Sequence, residues 1–215
     1  MLPNTYFERY DNADDEQFYL PPRLVTHIDD QAIAAVTQLY REYFPVGGHV
    51  LDLMSSWVSH LPEEIEFARV VGLGMNQAEL DANLRLHERV VQNLNRVPEL
   101  PFADGAFDGA GICVSVQYLI QPVRVFREIS RVLRPGAPLV VTFSNRCFPT
   151  KAVAIWQSLG DGEHTRLVQQ YFEASGNWTD IQALDRSPSG WRGDPLYAVV
   201  GRSTENQVPT SATTM

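Results

Sequence analysis

Residues 99–145 read ELPFADGAFDGAGICVSVQYLIQPVRVFREISRVLRPGAPLVVTFSN. Asp104-Gly105 marks a turn, and the apolar run GAGICVSV that follows has the length and content of a buried strand. In PVRVFREISRVL the residues Phe126, Ile129 and Leu133 recur at helical spacing, and Pro135-Gly136 stops the helix. PLVVTFS is a second buried strand. Strand, helix and strand at this rhythm form one parallel unit of an α/β sheet.

The same alternation extends to both sides. Upstream, HVLDLM, RVVGLGM and RVVQNLN are strands, PEEIEFA (62–68) is a short helix, and Asn76 with Glu79 has the spacing of a capping box opening the helix QAELDANLRLHE. Before them Asp29 or Asp30 caps a helix through Ile33, Val36, Tyr40 and Phe44, ended by Pro45 and Gly47-Gly48. Downstream, helical segments fill about 151–174, and TDIQALD and PLYAVVG are the last strands. The expected organisation is a lead-in and helix over 1–46 that belong to the same domain, an α/β domain over 47–202, and a polar, disordered tail over 203–215. In such sheets ligands sit beyond the carboxyl ends of the strands, at the topological switch point. Every unusual polar motif in this chain follows a strand end.

Composition narrows the function. The 215 residues are 44% hydrophobic and 20% charged, ordinary for one globular domain. A net charge of −9 argues against nucleic acid as a partner, because phosphate neutralisation needs clustered Lys and Arg. Cys113 and Cys147 sit in apolar surroundings, which suits a reducing, cytoplasmic compartment. No run approaches a membrane span, and the first residues lack a signal peptide's basic-then-apolar order. Neither the histidines nor the cysteines have metal-ligand spacing. Gly72-Leu-Gly74 is too short to be a dinucleotide fingerprint, and Asn177-Trp-Thr179 matches a glycosylation acceptor without any other sign of secretion.

The stretch from Gly47 to Arg202 resembles a class I S-adenosylmethionine-dependent methyltransferase of the type 11 kind. The resemblance rests on LPFADGAFD, the fourth strand, REISRVLRPG and the fifth strand, in order and spacing. It implies a Rossmann-like parallel seven-stranded sheet with helices on both faces and an antiparallel last strand, and S-adenosylmethionine as cofactor. The departures are in the cofactor motifs. Asp52-x-Met54-x-Ser56-x-Val58 stands where the family has acid-x-Gly-x-Gly-x-Gly, so the chain looks like a divergent subgroup with DLMSSW in place of the glycine-rich motif. Gly74 stands where the second strand ends in a ribose-binding acid, and QNLN where the third loop carries an acid near adenine.

Carried onto this sequence, the resemblance places the cofactor against Asp52, Leu53, Met54, Ser55 and Ser56, then Gly74, Met75 and Asn76, then Asn93, Leu94 and Asn95, and Val114. Asp52 would accept from the methionyl ammonium or cap its own loop. Ser55 and Ser56 would donate to the carboxylate or ribose, and Met54 would pack on the ligand. Asn76 would bond the ribose or serve only as a helix cap. Asn93 and Asn95 would read adenine or satisfy their own turn. Trp57 points away and packs under the lead-in helix, or else it shapes the pocket or plugs it. The acceptor would meet Tyr19, Arg23, His27, Tyr118, Asn145 and Arg146, with Ser115 nearby. Arg23 or Arg146 would bind a carboxylate or phosphate unless taken by a salt bridge. Candidates for a catalytic role are His27, Gln117 and Tyr118, with His60 as a further possible base. The expected activity is methyl transfer to a small molecule. The alternatives are a non-catalytic or degenerate binding protein with a regulatory or scaffold role, and the same fold put to other chemistry.

Overall fold

The computed structural model describes residues 3–188 and 193–204. A lead-in with one short helix, α1 (Asp15–Tyr19), precedes α2 (Asp30–Tyr43). The α2 cap is Asp29, whose side chain accepts from Ala32 N at 2.9 Å. Then follow β1 (His49–Ser55), β2 (Arg69–Gly74), α3 (Gln77–Ala82), β3 (Glu88–Val91), β4 (Gly109–Cys113), α4 (Pro122–Val132), β5 (Pro138–Phe143), α5 (Ala154–Ser158), α6 (Asp161–Ser175), β6 (Trp178–Asp185) and β7 (Tyr197–Ser203).

The sheet runs β3-β2-β1-β4-β5-β7-β6, with β7 antiparallel to both of its neighbours. Strand order reverses at β1, which pairs in parallel with β2 on one side and β4 on the other. Side-chain alternation along each strand splits the core in two. Leu51, Leu53, Val71, Leu73, Ile112 and Val141 face α4 and α6, which contribute Phe126, Ile129, Tyr171 and Phe172. Val50, Val70, Val140 and Val200 face α2, which contributes Val36, Leu39 and Tyr40. Gly111 lets α2 approach β4 closely, since a Cβ there would lie 2.9 Å from the Tyr40 hydroxyl. Among the described residues no helix is long and apolar enough to cross a membrane.

Two helix expectations need correction. Residues 62–68 form a turn and extended chain instead of a helix. Leu61, Ile65 and Phe67 are all buried, a spacing that favours extended chain over a helical face. The backbone there is also committed elsewhere: Glu66 O accepts from Gly47 N, Ala68 N donates to Gly48 O, and Arg85 Nη2 donates to the carbonyls of Pro62 and Ile65 at 3.0 and 2.8 Å. The helix expected over 77–88 stops at Ala82, because Asn83 turns inward, 1% exposed, and bonds the loop after β1. The β1–β2 crossover therefore carries no helix among the described residues. β7 extends to Ser203, one residue past the expected domain end, and 205–215 of the expected tail lie outside the described residues.

Candidate active site

The end of β1 builds the site. Met54 takes a positive φ of 56° and shifts the register, so that Ser55 rather than Met54 pairs with Gly74. The Ser55 carbonyl then lies 2.2 Å from where a Cβ on residue 74 would be. No acid can stand at that position, because the rerouted first strand occupies its space.

Asp52 lies beneath this bulge, 7% exposed. Its Oδ2 accepts from Ser55 Oγ at 2.6 Å and from Ser59 Oγ at 2.7 Å. Asn83 Nδ2 donates to Ser59 Oγ at 2.8 Å and to Ser56 O at 3.0 Å. Burial raises the Asp52 carboxyl to about 6, opposed by the two hydroxyls. Ser56 Oγ donates to Glu79 Oε2 at 2.7 Å, and Glu79 Oε1 accepts from the backbone N of Arg23 at 2.7 Å. A polar lattice of serines, Asn83 and two acids thus holds the loop after β1. One consequence corrects the sequence reading. The protons of Ser55 and Ser56 point to Asp52 and Glu79, so these hydroxyls offer a ligand lone pairs, not donors.

Above the ends of β1, β2 and β4 is a cleft of about 310 Å³, at the small end of the usual range for small-molecule sites. Its walls include Asp52, Met54, Ser55, Ser56, Gly74, Met75, Asn93, Leu94, Asn95 and Val114, with Tyr19, Arg23, His27, His60, Ser115, Tyr118 and Arg146. Trp57 is a wall and not a plug. It is half-buried, and its indole N–H donates to the Val25 carbonyl at 3.1 Å, tying the lead-in to the loop.

Four expected residues fall outside the cleft wall. Leu53 is fully buried in the sheet core. Asn76 caps α3 through Glu79 N and spends its amide on the carbonyls of Tyr19 and Leu20, both at 2.9 Å. Gln117, 1% exposed, turns inward to donate to Val114 O at 2.9 Å. Asn145 is exposed. Two of those in the wall are occupied. Asn95 Nδ2 donates to Asp15 Oδ2 and Tyr118 O, both at 3.0 Å, while its Oδ1 accepts from Ile120 N, which leaves no donor and one Oδ1 lone pair with which to read adenine. Asn93 Oδ1 accepts from Asn95 N within its own turn.

On the acceptor side, Tyr118 Oη accepts from Phe148 N at 2.8 Å, and burial pushes its hydroxyl well above the usual range, which argues against a base. His27 packs edge-on against Phe148, and partial desolvation lowers it, leaving a neutral imidazole at neutral pH. His60 is likewise lowered by burial. Arg146 Nε pairs with Asp194 at 2.6 Å. Sequence reasoning missed Arg9, Asp15, Ser59, Glu79, Asn83 and Phe148. Apart from Ser59, which bonds Asp52 seven residues away, each is brought in by a contact between distant segments, and the capping-box spacing of Glu79 announces a helix start and not a place in the cleft.

Residues 54–141, from the last turn of β1 to the middle of β5, match the model of the family described as "Methyltransferase domain". That segment is similar to a methyltransferase domain. Solved structures with this domain's fold include an S-adenosylmethionine-dependent methyltransferase from Mesorhizobium loti (16% identity, TM-score 0.55, 78% of this chain and 97% of that one). Phosphoethanolamine N-methyltransferase 2 of Haemonchus contortus, solved with S-adenosyl-L-methionine, is 13% identical (TM-score 0.58), covering 82% of this chain and 53% of that one. The [4+2]-cyclase SpnF is 16% identical (TM-score 0.58), covering 86% of this chain and 89% of that one. These likenesses concern the fold. No curated protein matches this chain by sequence. Among the described residues no cluster of His, Cys, Asp or Glu is arranged to hold a metal.

Proposed function

We propose that the protein binds S-adenosylmethionine in the cleft above β1 and transfers its methyl group to a small molecule. One observation carries the reading. Two acids in the cleft wall, Asp52 and Glu79, accept only from hydroxyls and a backbone N–H, with no cationic side chain at ion-pair distance among the described residues. A ligand with an ammonium and a sulfonium supplies the missing positive charge. Leu73, Leu94, Met54 and Val114 supply apolar walls beside those acids, as an adenosyl group requires. The ribose and adenine would meet backbone groups and the serine lone pairs, since the family's acid at 74 is absent and Asn95 is engaged.

The cofactor carries the electrophilic methyl, so the protein's work is positioning. Tyr19, Tyr118 and Phe148 would hold the acceptor in a water-poor compartment, and the neutral His27 imidazole would take a proton where the nucleophile must lose one. The acidic net charge favours a small acceptor over nucleic acid. The two thiols are unpaired, as in a reducing, cytoplasmic setting.

Thermal unfolding with S-adenosylmethionine and S-adenosylhomocysteine tests the reading. Ligand at about 100 times its dissociation constant adds roughly 2.7 kcal/mol of apparent stability. Asp52→Ala is expected to abolish the gain. No shift with either compound at millimolar concentration overturns the cofactor assignment, and an undiminished shift in Asp52→Ala overturns the site.

A further inference from the structure

The cleft holds charges of both signs. Among the described residues the acids Asp52 and Glu79 have no cationic side chain at ion-pair distance. Positive groups gather around Phe18, one of them on Arg23, whose backbone N donates to Glu79 at 2.7 Å. The Arg23 guanidinium lies 4.5 Å from the Phe18 ring centroid and 5.4 Å from that of Phe148. Among the described residues its side-chain hydrogen bonds go to the carbonyls of Phe18 (2.8 Å) and Pro21 (3.5 Å), and no carboxylate pairs with its charge. Lys151 Nζ lies 5.3 Å from the same Phe18 centroid.

The acids beside these groups are spent. Asp15 Oδ1 takes Arg9 Nη1 at 2.7 Å and Lys151 Nζ at 3.3 Å, while Oδ2 takes Asn95 Nδ2 at 3.0 Å. Asp11 pairs with Lys151 at 3.1 Å. A cationic acceptor would find Asp11 and Asp15 already paired, and would face Arg23.

Of the buried donors without a partner among the described residues, two belong to residues of the cleft wall: Arg9 Nε, on a side chain 8% exposed, and Ser115 Oγ. They are linked through the structure, because Arg9 bonds Asp15, Asp15 bonds Asn95, Asn95 bonds the Tyr118 carbonyl, and Tyr118 N donates to Ser115 O. A buried donor left unpaired costs free energy that a ligand oxygen would recover. Tyr19, Tyr118 and Phe148 give the cleft an aromatic surface.

We infer that the acceptor is an aromatic carboxylic acid, its carboxylate taken by Arg9 Nε–H and the Arg23 guanidinium, with Ser115 Oγ–H donating to a further oxygen. The acceptor role rests on the methyl-transfer reading; the preference for a carboxylate is a property of the arginines alone.

Calorimetric titration of the full chain with 4-hydroxybenzoate, 4-hydroxybenzamide and 4-hydroxybenzylamine separates the two claims, with and without S-adenosylhomocysteine. These probes share one ring and differ in charge. The expected order is carboxylate tightest by at least tenfold, then amide, then amine. Arg23→Gln is expected to erase most of that margin while leaving S-adenosylhomocysteine binding intact. Arg9→Lys, which keeps the charge and removes Nε, is expected to weaken the carboxylate more than the amide. Equal binding of carboxylate and amide, tightest binding of the amine, or a margin unchanged in both variants overturns the inference. A carboxylate preference without any S-adenosylhomocysteine binding upholds the anion site and overturns the cofactor reading.

Discussion

Burial raises the Asp52 carboxyl from the ordinary value of 3.8 to about 6, although two serine hydroxyls donate to it. The native state therefore keeps a proton that the unfolded chain releases near 3.8. Between these values the unfolded chain binds fewer protons, so this group's contribution makes stability fall as pH rises from about 4 to 6 and leaves it lower above. Asp52→Asn removes that cost. It is expected to stabilise the protein by up to about 3 kcal/mol above pH 7 and by much less at pH 4, measured by denaturant unfolding at both pH values. A ligand ammonium needs the ionised form. Binding of S-adenosylhomocysteine to the native protein is therefore expected to be about tenfold weaker at pH 5 than above pH 7, with a midpoint near 6. A flat pH profile would separate Asp52 from the cofactor.

At the scale of elements, the β1 bulge and Gly74 are one device. Met54 at positive φ carries the Ser55 carbonyl over the end of β2, into the space a side chain at 74 would need. Backbone cannot move aside as a flexible side chain does. Gly74→Ala is expected to cost about 3 kcal/mol or more in urea unfolding. Gly162→Ala, in α6 with nothing within 4 Å of the new Cβ, is expected to gain a few tenths to about 1 kcal/mol. Equal effects at the two sites would refute the account of the bulge. The failed helix over 62–68 belongs to the same scale. Pro62 and two acids fit a first helical turn, but Arg85 and Gly47–Gly48 claim the backbone groups, and Leu61, Ile65 and Phe67 go inward as extended chain.

Across the whole molecule, the lead-in is held to the sheet by Lys151, which is fully buried and bonded to Asp11, Ala13 and Asp15. Trp57 to Val25 and Arg23 to Glu79 add two further ties. Lys151→Met leaves these acids short of a partner and is expected to cost about 3 kcal/mol or more. Limited proteolysis within residues 8–25 is expected to quicken in that variant. In the native protein it is expected to slow with S-adenosylhomocysteine, because the lead-in and strand ends share the walls of one cleft. Unaltered cleavage in both experiments would detach the lead-in from the site.

The sequence by itself determined the sheet, its strands and the end of the sheet at which the cleft opens. Runs such as VLDL, GAGIC and PLVVTF are apolar because both faces of a central strand are buried, and that requirement is local enough to be read from composition and period. It also marked Asp52, Met54, Ser55 and Ser56 as the altered loop. Tertiary structure alone decided what these residues do. The serine protons go to Asp52 and Glu79, Asn95 goes to Asp15, Trp57 to the lead-in, and Arg9 joins a cleft built far along the chain. Apart from the bond of Ser55 to Asp52, three residues away, these partners depend on which distant segments folding brings within about 3 Å, and DLMSSWV contains no trace of that. The loop that lost its glycines is therefore a loop held by hydroxyls and an asparagine, with Trp57 as one wall of the cleft beside it.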